Sequence, residues 1–184
     1  EGLLHKALSC FNQMRCVGFS PDVITLICIL KACGSARAIE KGKQIHGEVQ
    51  IIGFLEKDAM LCNALVDMYA KCGMLSKARQ ILKSLPVQDV VAWNALISAY
   101  VQHDCGEQAL CFFEQMKLQG ISPEPITFAC YLKACGSIGT VEKGIEIHSE
   151  ISKEGLLASD YFLGIALIDM YAKFGMLVKA WEIL

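Results

Sequence analysis

The sequence has no Cys-x-x-Cys anywhere, although it carries ten cysteines in 184 residues. That omission argues against a zinc site or a dithiol redox motif. Cys28 and Cys33 recur as Cys130 and Cys135, and the other cysteines scatter. Cysteine therefore reads as a small apolar residue at equivalent positions, a reduced core thiol suited to a reducing compartment. There is also no run of about 18 uncharged apolar residues, so no membrane span is expected. Excess positive charge is missing too. A net charge of −2 argues against a strongly basic nucleic-acid surface, though not against a local basic track. No targeting peptide is visible, and the chain reads as a piece of something longer that opens and closes inside repeats. What is abundant is apolar: 54 % of residues against 20 % charged, the balance of a globular domain or of one array.

The organising stretch is Val90 to Glu124. Trp93, Leu96, Ile97 and Tyr100 fall at helical spacing, and Ala109, Phe112, Phe113 and Met116 do so again after a short break. Gly120 and Pro123 end the second pattern, because Gly tolerates the turn and Pro cannot continue a helix. This is a helix–turn–helix hairpin of 35 residues, too small to hold a core alone.

The rest of the chain varies that hairpin. Lys31-Ala32-Cys33-Gly34-Ser35 returns as Lys133 to Ser137, and Asp67-Met68-Tyr69-Ala70-Lys71 returns as Asp169 to Lys173, both 102 residues later. A superperiod of that length holding three hairpins implies units of about 34 residues, the signature of a helical solenoid. The repeats divide as 1–22 (partial), 23–58, 59–89, 90–124, 125–160 and 161–184 (partial), and the full ones have lengths of 36, 31, 35 and 36. Within them the turns are expected near Gly34, Gly73, Gly106 and Gly136, and the second helices end near Gly53, Leu85-Pro86, Gly120 and Gly155. Such repeats bury their apolar faces only by stacking on their neighbours.

Each boundary carries an acid: Asp22, Asp58, Asp89, Glu124 and Asp160. Helix N-capping accounts for an acid there. It does not account for Asn at the fifth residue of two successive repeats, Asn63 and Asn94, since Asn is mildly unfavourable inside a helix.

These segments resemble the pentatricopeptide repeat family, most tellingly Val91-Ala92-Trp93-Asn94-Ala95-Leu96-Ile97, Asn63 to Gly73, and Gly42-Lys43-Gln44-Ile45-His46. The alternation of 36, 31 and 35 is similar to the long, short and standard repeats of its plant PLS class. Tetratricopeptide repeats keep a uniform period of 34 and do not fit that rhythm. The resemblance implies an all-α fold, a right-handed superhelical solenoid of antiparallel helix–turn–helix repeats whose first helices line a concave surface. It implies binding of single-stranded RNA, one base per repeat. The implied reading pairs are Ile27 with Asp58, Asn63 with Asp89, Asn94 with Glu124, and Ala129 with Asp160. The implied base-sandwiching residues are Ile24, Met60, Val91, Ile126 and Phe162, and Lys71 and Lys173 occupy a register that touches phosphate in relatives. The family also implies a mitochondrial or chloroplast setting, a role in C-to-U editing or other RNA processing, and organellar editing cofactors as partner proteins.

The Asn/Asp pair makes chemical sense by itself. A carboxylate holds the amide NH2 end, and the amide oxygen is left to accept from a base. Uracil offers N3–H there and cytosine offers an acceptor, so Asn63 with Asp89 should favour U. The longer Glu124 should hold Asn94 less well, giving a weakly discriminated pyrimidine. Ile27 and Ala129 cannot hydrogen-bond a base edge. In the last repeat Ile165 stands where the other short repeat has Asn63.

His46-Gly47-Glu48 and His148-Ser149-Glu150 spell the His-x-Glu of zinc nucleobase deaminases, but the Pro-Cys-x-x-Cys half of that motif is lacking. Packing or interhelical hydrogen bonding is the expected role of both histidines. Tyr69, Tyr100, Tyr171, Trp93 and Phe113 are expected in the core rather than on a base-stacking platform. No catalytic constellation stands out, so the chain is read as non-enzymatic, with no cofactor and no metal. A monomer is expected, with weak self-association at most through exposed repeat ends. The rival is a protein-binding helical scaffold without RNA contact, which the acidic net charge favours.

Overall fold

The computed structural model describes residues 2–53, 58–85, 88–158 and 160–183. Among them are eleven α-helices, one 3-10 turn and no strand. The helices are α1 (Gly2–Cys16), α2 (Val23–Ser35), α3 (Ile39–Ile52), α4 (Ala59–Lys71), α5 (Leu75–Ser84), α6 (Val90–Gln102), α7 (Gly106–Leu118), α8 (Pro125–Ile138), α9 (Val141–Lys153), α10 (Tyr161–Lys173) and α11 (Leu177–Trp181). The chain forms two halves, 1–96 and 97–184, with the division inside α6. None of the described helices is long and apolar enough to cross a membrane.

Boundary acids start the first helix of each hairpin. Asp22 accepts from the Thr25 N–H at 2.8 Å, Asp58 from Leu61 at 2.9 Å, and Asp89 Oδ1 from Ala92 at 3.0 Å. Asp160 accepts from both Phe162 and Leu163. Glu124 forms a reciprocal capping box with Thr127, and Pro125 fills the first helical position, where a missing N–H costs nothing. Each cap stabilises its helix by about 1 kcal/mol.

In the N-terminal half, α2 packs on α1, α3 and α4, and α4 packs on α5. The C-terminal half repeats the plan: α8 packs on α7, α9 and α10, and α10 packs on α11. Leu26, Leu30, Leu61 and Leu65 fill one core, and Phe113, Phe128, Leu132 and Tyr171 the other. The 102-residue superperiod extends to polar contacts. Arg15 pairs with Glu48 at 2.9 Å, and at the equivalent positions Lys117 pairs with Glu150 at 2.7 Å. Tyr69, Tyr100, Tyr171, Trp93 and Phe113 are all buried, as core residues.

Two expectations need refinement. The turns fall within three residues of Gly34, Gly73, Gly106 and Gly136, as expected, but not on all four. Of the four turn glycines, only Gly73 has a turn conformation, with φ 76°. Gly34 and Gly136 lie inside α2 and α8, and the chain turns instead at Arg37 (φ 52°) and Gly139 (φ 72°). The reason is close approach: a Cβ on Gly34 would sit 3.1 Å from Met68 Cα, and one on Gly136 would sit 3.1 Å from Lys173 Cδ. Gly106 opens α7 for a similar reason, since its Cβ would meet Ile138 Cγ2 at 2.6 Å. The cysteines also divide. Cys33, Cys62 and Cys135 are core thiols, but Cys10, Cys16, Cys28 and Cys111 are exposed. Pro86, the expected stop after α5, lies outside the described residues, as do the end residues 1 and 184 of the two partial repeats.

Candidate nucleic-acid interface

The fifth residues of the expected pairs, Ile27, Asn63, Asn94 and Ala129, sit on the first helices one turn in from the caps, and the acids of the pairs are the caps themselves. Asn63 is half-buried on α4, and its Nδ2 donates to Asp89 Oδ2 at 2.6 Å. The other carboxylate oxygen of Asp89 accepts the Ala92 N–H. Asp89 is thereby fixed by a backbone and fixes an amide, and the amide orientation follows, since only NH2 can face a carboxylate. Asn63 Oδ1 then points away, lies beneath the surface and has no hydrogen-bond partner. A buried acceptor without a partner costs about 1–3 kcal/mol.

The other pairs are built from different residues. Ile27 is only 7 % exposed, and Asp58 caps α4. Ala129 is half-buried, and Asp160 caps α10. Asn94 is half-buried on α6, and Glu124 is exposed at the start of α8.

All five residues named as base-sandwiching are exposed. Ile24, Met60, Val91, Ile126 and Phe162 keep 57 to 75 % of their surface open. Single exposed apolar side chains are ordinary. The same register exposed in five successive first helices is not what core packing produces.

In the C-terminal half a groove of about 600 Å³ runs beside α8 and α10. Ile126, Ala129, Asp160 and Phe162 line it, so four of the expected residues come together there. Lys133, Asp169, Ser98 and Ile165 line it too, and the first three were not singled out from sequence. The signal for Lys133 was present: it is the ninth residue of its repeat, as Lys31 is of the other long repeat.

The two lysines expected at phosphate are both ion-paired on their own helix. Lys71 Nζ is 2.7 Å from Asp67 Oδ2, and Lys173 Nζ is 2.7 Å from Asp169 Oδ2. Their stems run across the helical glycines: a Cβ on Gly34 would touch Lys71 Cδ, and one on Gly136 would touch Lys173 Cδ.

The His-x-Glu segments lie in α3 and α9. His46 Nδ1 meets the Tyr69 hydroxyl at 2.8 Å and His148 Nδ1 meets that of Tyr171 at 2.8 Å, each ring standing edge-on to its tyrosine. Burial, with a smaller push from Lys77 or Lys179, holds both imidazoles below the ordinary histidine value. Glu48 and Glu150 are taken up by Arg15 and Lys117.

Comparison with known proteins agrees with the repeat fold. The PPR repeat family model matches residues 88–137, and the PPR repeat model matches 1–19, 61–89 and 166–184. Together they span more than half of the chain. It belongs to the pentatricopeptide repeat family. Among curated Arabidopsis thaliana relatives, pentatricopeptide repeat-containing protein At5g27110 is 39 % identical over 97 % of this chain and 26 % of its own length. The chloroplastic relative DOT4 is 37 % identical over 97 % of this chain and 20 % of its own length. This pentatricopeptide repeat chain thus spans about a quarter of the length of the curated relatives it matches. Among solved structures, the pentatricopeptide repeat protein PPR10 in complex with an 18-nt psaJ RNA element aligns with TM-score 0.78 at 20 % identity, over 96 % of this chain and 26 % of that one. The PPR domain of Arabidopsis thaliana protein-only RNase P 1, in complex with tRNA, aligns with TM-score 0.58 at 18 % identity, over 83 % of each chain. At those identities the likeness is one of fold, the helical-repeat solenoid.

Proposed function

We propose that this chain is a single-stranded RNA-binding segment that takes one base per repeat, with repeats 23–58 and 125–160 long, 59–89 short and 90–124 standard. The observation that carries the proposal is the Asn63–Asp89 bond of 2.6 Å, because it leaves Asn63 Oδ1 as a buried acceptor without a partner. Uracil N3–H satisfies that acceptor once Met60 and Val91 part to admit a base between them. Cytosine brings a second acceptor and is rejected. Asn94 with Glu124 takes a pyrimidine with weak preference, and Ile27 and Ala129 read little. Ile24, Ile126 and Phe162 sandwich bases at the other repeats. Lys71 and Lys173 sit in ion pairs with Asp67 and Asp169 that offset their pull on phosphate.

The RNA element in complex with PPR10 supports an RNA ligand here, and the chloroplastic and mitochondrial names among relatives support an organellar setting. Within a PLS-type protein this segment serves recognition for C-to-U editing or another RNA-processing step, alongside organellar editing cofactors. The base chemistry belongs to other domains or partners.

The test is a gel shift at low salt with single-stranded oligomers placing U or C opposite the short repeat. Binding should favour U and lose that preference in Asn63→Ala. Equal binding of both oligomers by the unmodified chain would falsify the pairing. A second reading, a protein-docking scaffold, has one observation behind it. Phe19, Ile51 and Ile52 are exposed around a hollow beside the Arg15–Glu48 pair. Indifference to RNA together with tight binding to an editing cofactor would favour it.

A further inference from the structure

The cations of the first helices fall into two kinds. Lys71 and Lys173 are held at both ends, their stems across Gly34 and Gly136 and their heads on Asp67 and Asp169. A phosphate reaching either one meets a neutral pair whose carboxylate repels it, so the net attraction is small. Lys31 and Lys133 are different. Both are exposed on first helices, and neither has an ion-pair partner among the described residues. The sequence explains why. The helical neighbours of Lys31 at three and four residues are Ile27, Cys28, Gly34 and Ser35, and those of Lys133 are Ala129, Cys130, Gly136 and Ser137. No acid is within helical reach. Lys133 also lines the 600 Å³ groove beside Ile126 and Phe162. The acids sharing that groove are both engaged: Asp169 with Lys173, and Asp160 with the Phe162 and Leu163 N–H groups.

We propose that Lys31 and Lys133, the ninth residues of the long repeats, are the phosphodiester contacts, and that Asp67 and Asp169 mask Lys71 and Lys173. This rests on the RNA-binding reading above. It gives the long repeats a task their fifth residues cannot perform. Ile27 and Ala129 read no base, and the lysine one turn further along holds the backbone whatever the sequence. The short repeat does the reverse, reading through Asn63 while its lysine is neutralised. Base identity and backbone grip are thus divided between repeat types.

The experiment uses the 184-residue chain and fluorescent single-stranded oligomers across a salt series. Lys133→Gln should flatten the slope of log Kobs against log salt by about 0.7, the value for one phosphate contact on a single strand. It should weaken U- and C-bearing oligomers by the same factor. Lys31→Gln should behave alike, and Lys173→Gln should leave the slope unchanged. Asp169→Asn, which frees Lys173, should steepen the slope by a similar amount. An unchanged slope in Lys133→Gln, a loss of slope in Lys173→Gln, or weaker binding in Asp169→Asn each overturns the proposal. Circular dichroism separates misfolding from lost contact. If Lys133→Gln flattens the slope while Asn63→Ala keeps the U preference, the backbone grip stands and the base-reading assignment falls. No binding to any oligomer sinks both.

Discussion

His46 Nδ1 lies 2.8 Å from the Tyr69 hydroxyl, a bond that ties the second helix of one repeat to the first helix of the next. His148 and Tyr171 repeat it at the same distance in the C-terminal half. Burial lowers both histidine values from the ordinary 6.5. Between the lowered value and 6.5 the unfolded chain binds more protons than the folded one, so stability rises with pH through that window. It is fully present above about 6.5 and is lost as pH falls through the folded value. Thermal melts should therefore show the midpoint dropping on acidification below that point, and His46→Gln should blunt the drop. A midpoint that rises on acidification there would contradict the burial argument.

Removing only the hydroxyl separates the two copies. Tyr69→Phe strands a buried imidazole nitrogen and should cost about 1–3 kcal/mol. Tyr171→Phe should cost less, because His148 is half-buried and water reaches it. Denaturant titrations of the two variants supply the comparison, and equal losses would argue against the difference in burial.

Glycines in α3 make opposite predictions. Gly47 is open to solvent on its Cβ side, with nothing within 4 Å, so Gly47→Ala should stabilise by about 0.5–1 kcal/mol through helix propensity. Gly42 faces Met68, whose sulfur occupies the space a Cβ needs, and Met68 is fully buried. Overpacking costs about 1–3 kcal/mol, more than propensity returns. Gly42→Ala should therefore destabilise in the same melt in which Gly47→Ala stabilises.

How far these roles were legible depended on where their cause lies in the chain. The helix starts were readable because an acid and the N–H groups it caps are two or three residues apart. Asn63 was marked by a local oddity, an Asn at an unfavourable helical position, and its partner Asp89 by the family pattern. Gly34 stood close to the expected turn, but its own role is set by Met68 on the next repeat's helix, whose backbone leaves little room for a Cβ. The exposure of Cys28 was hidden for a related reason. Its equivalent, Cys130, is half-buried beside the groove, so equivalent positions in the sequence do not have equivalent surroundings. The masking of Lys71 was visible as an Asp four residues earlier, a spacing that pairs on a helix face, but its weight appears only beside Lys31, which has no ion-pair partner among the described residues.

The five exposed second residues provide a test in which stability and binding part company. Val91→Ser removes little buried surface, so its stability cost should stay within about 0.5 kcal/mol. If bases stack between these side chains, the same change should weaken RNA by about 1 kcal/mol, with no preference for the base presented. Phe162→Ala should show the larger loss, since an aromatic ring gives the most stacking surface. Binding curves unchanged in both variants, with RNA affinity intact, would remove the sandwich from the account.

Asp89 does two jobs and Asp58 shows one, and the pair can be used to separate capping from reading. Asp58→Ala and Asp89→Ala each lose a helix cap, about 1 kcal/mol of stability. Only Asp89 also anchors an amide, so only Asp89→Ala should release the Asn63 side chain and erase the preference for U over C, about 1 kcal/mol of discrimination. Asp89→Asn sharpens the comparison. Asn caps about as well as Asp, so stability should hold, while the uncharged oxygen grips the Asn63 amide less firmly and U preference should fall part of the way. Melting curves and paired U and C titrations on the three variants check this. Equal loss of U preference in Asp58→Ala and Asp89→Ala would mean that the helix start, not the Asn63–Asp89 bond, governs the site.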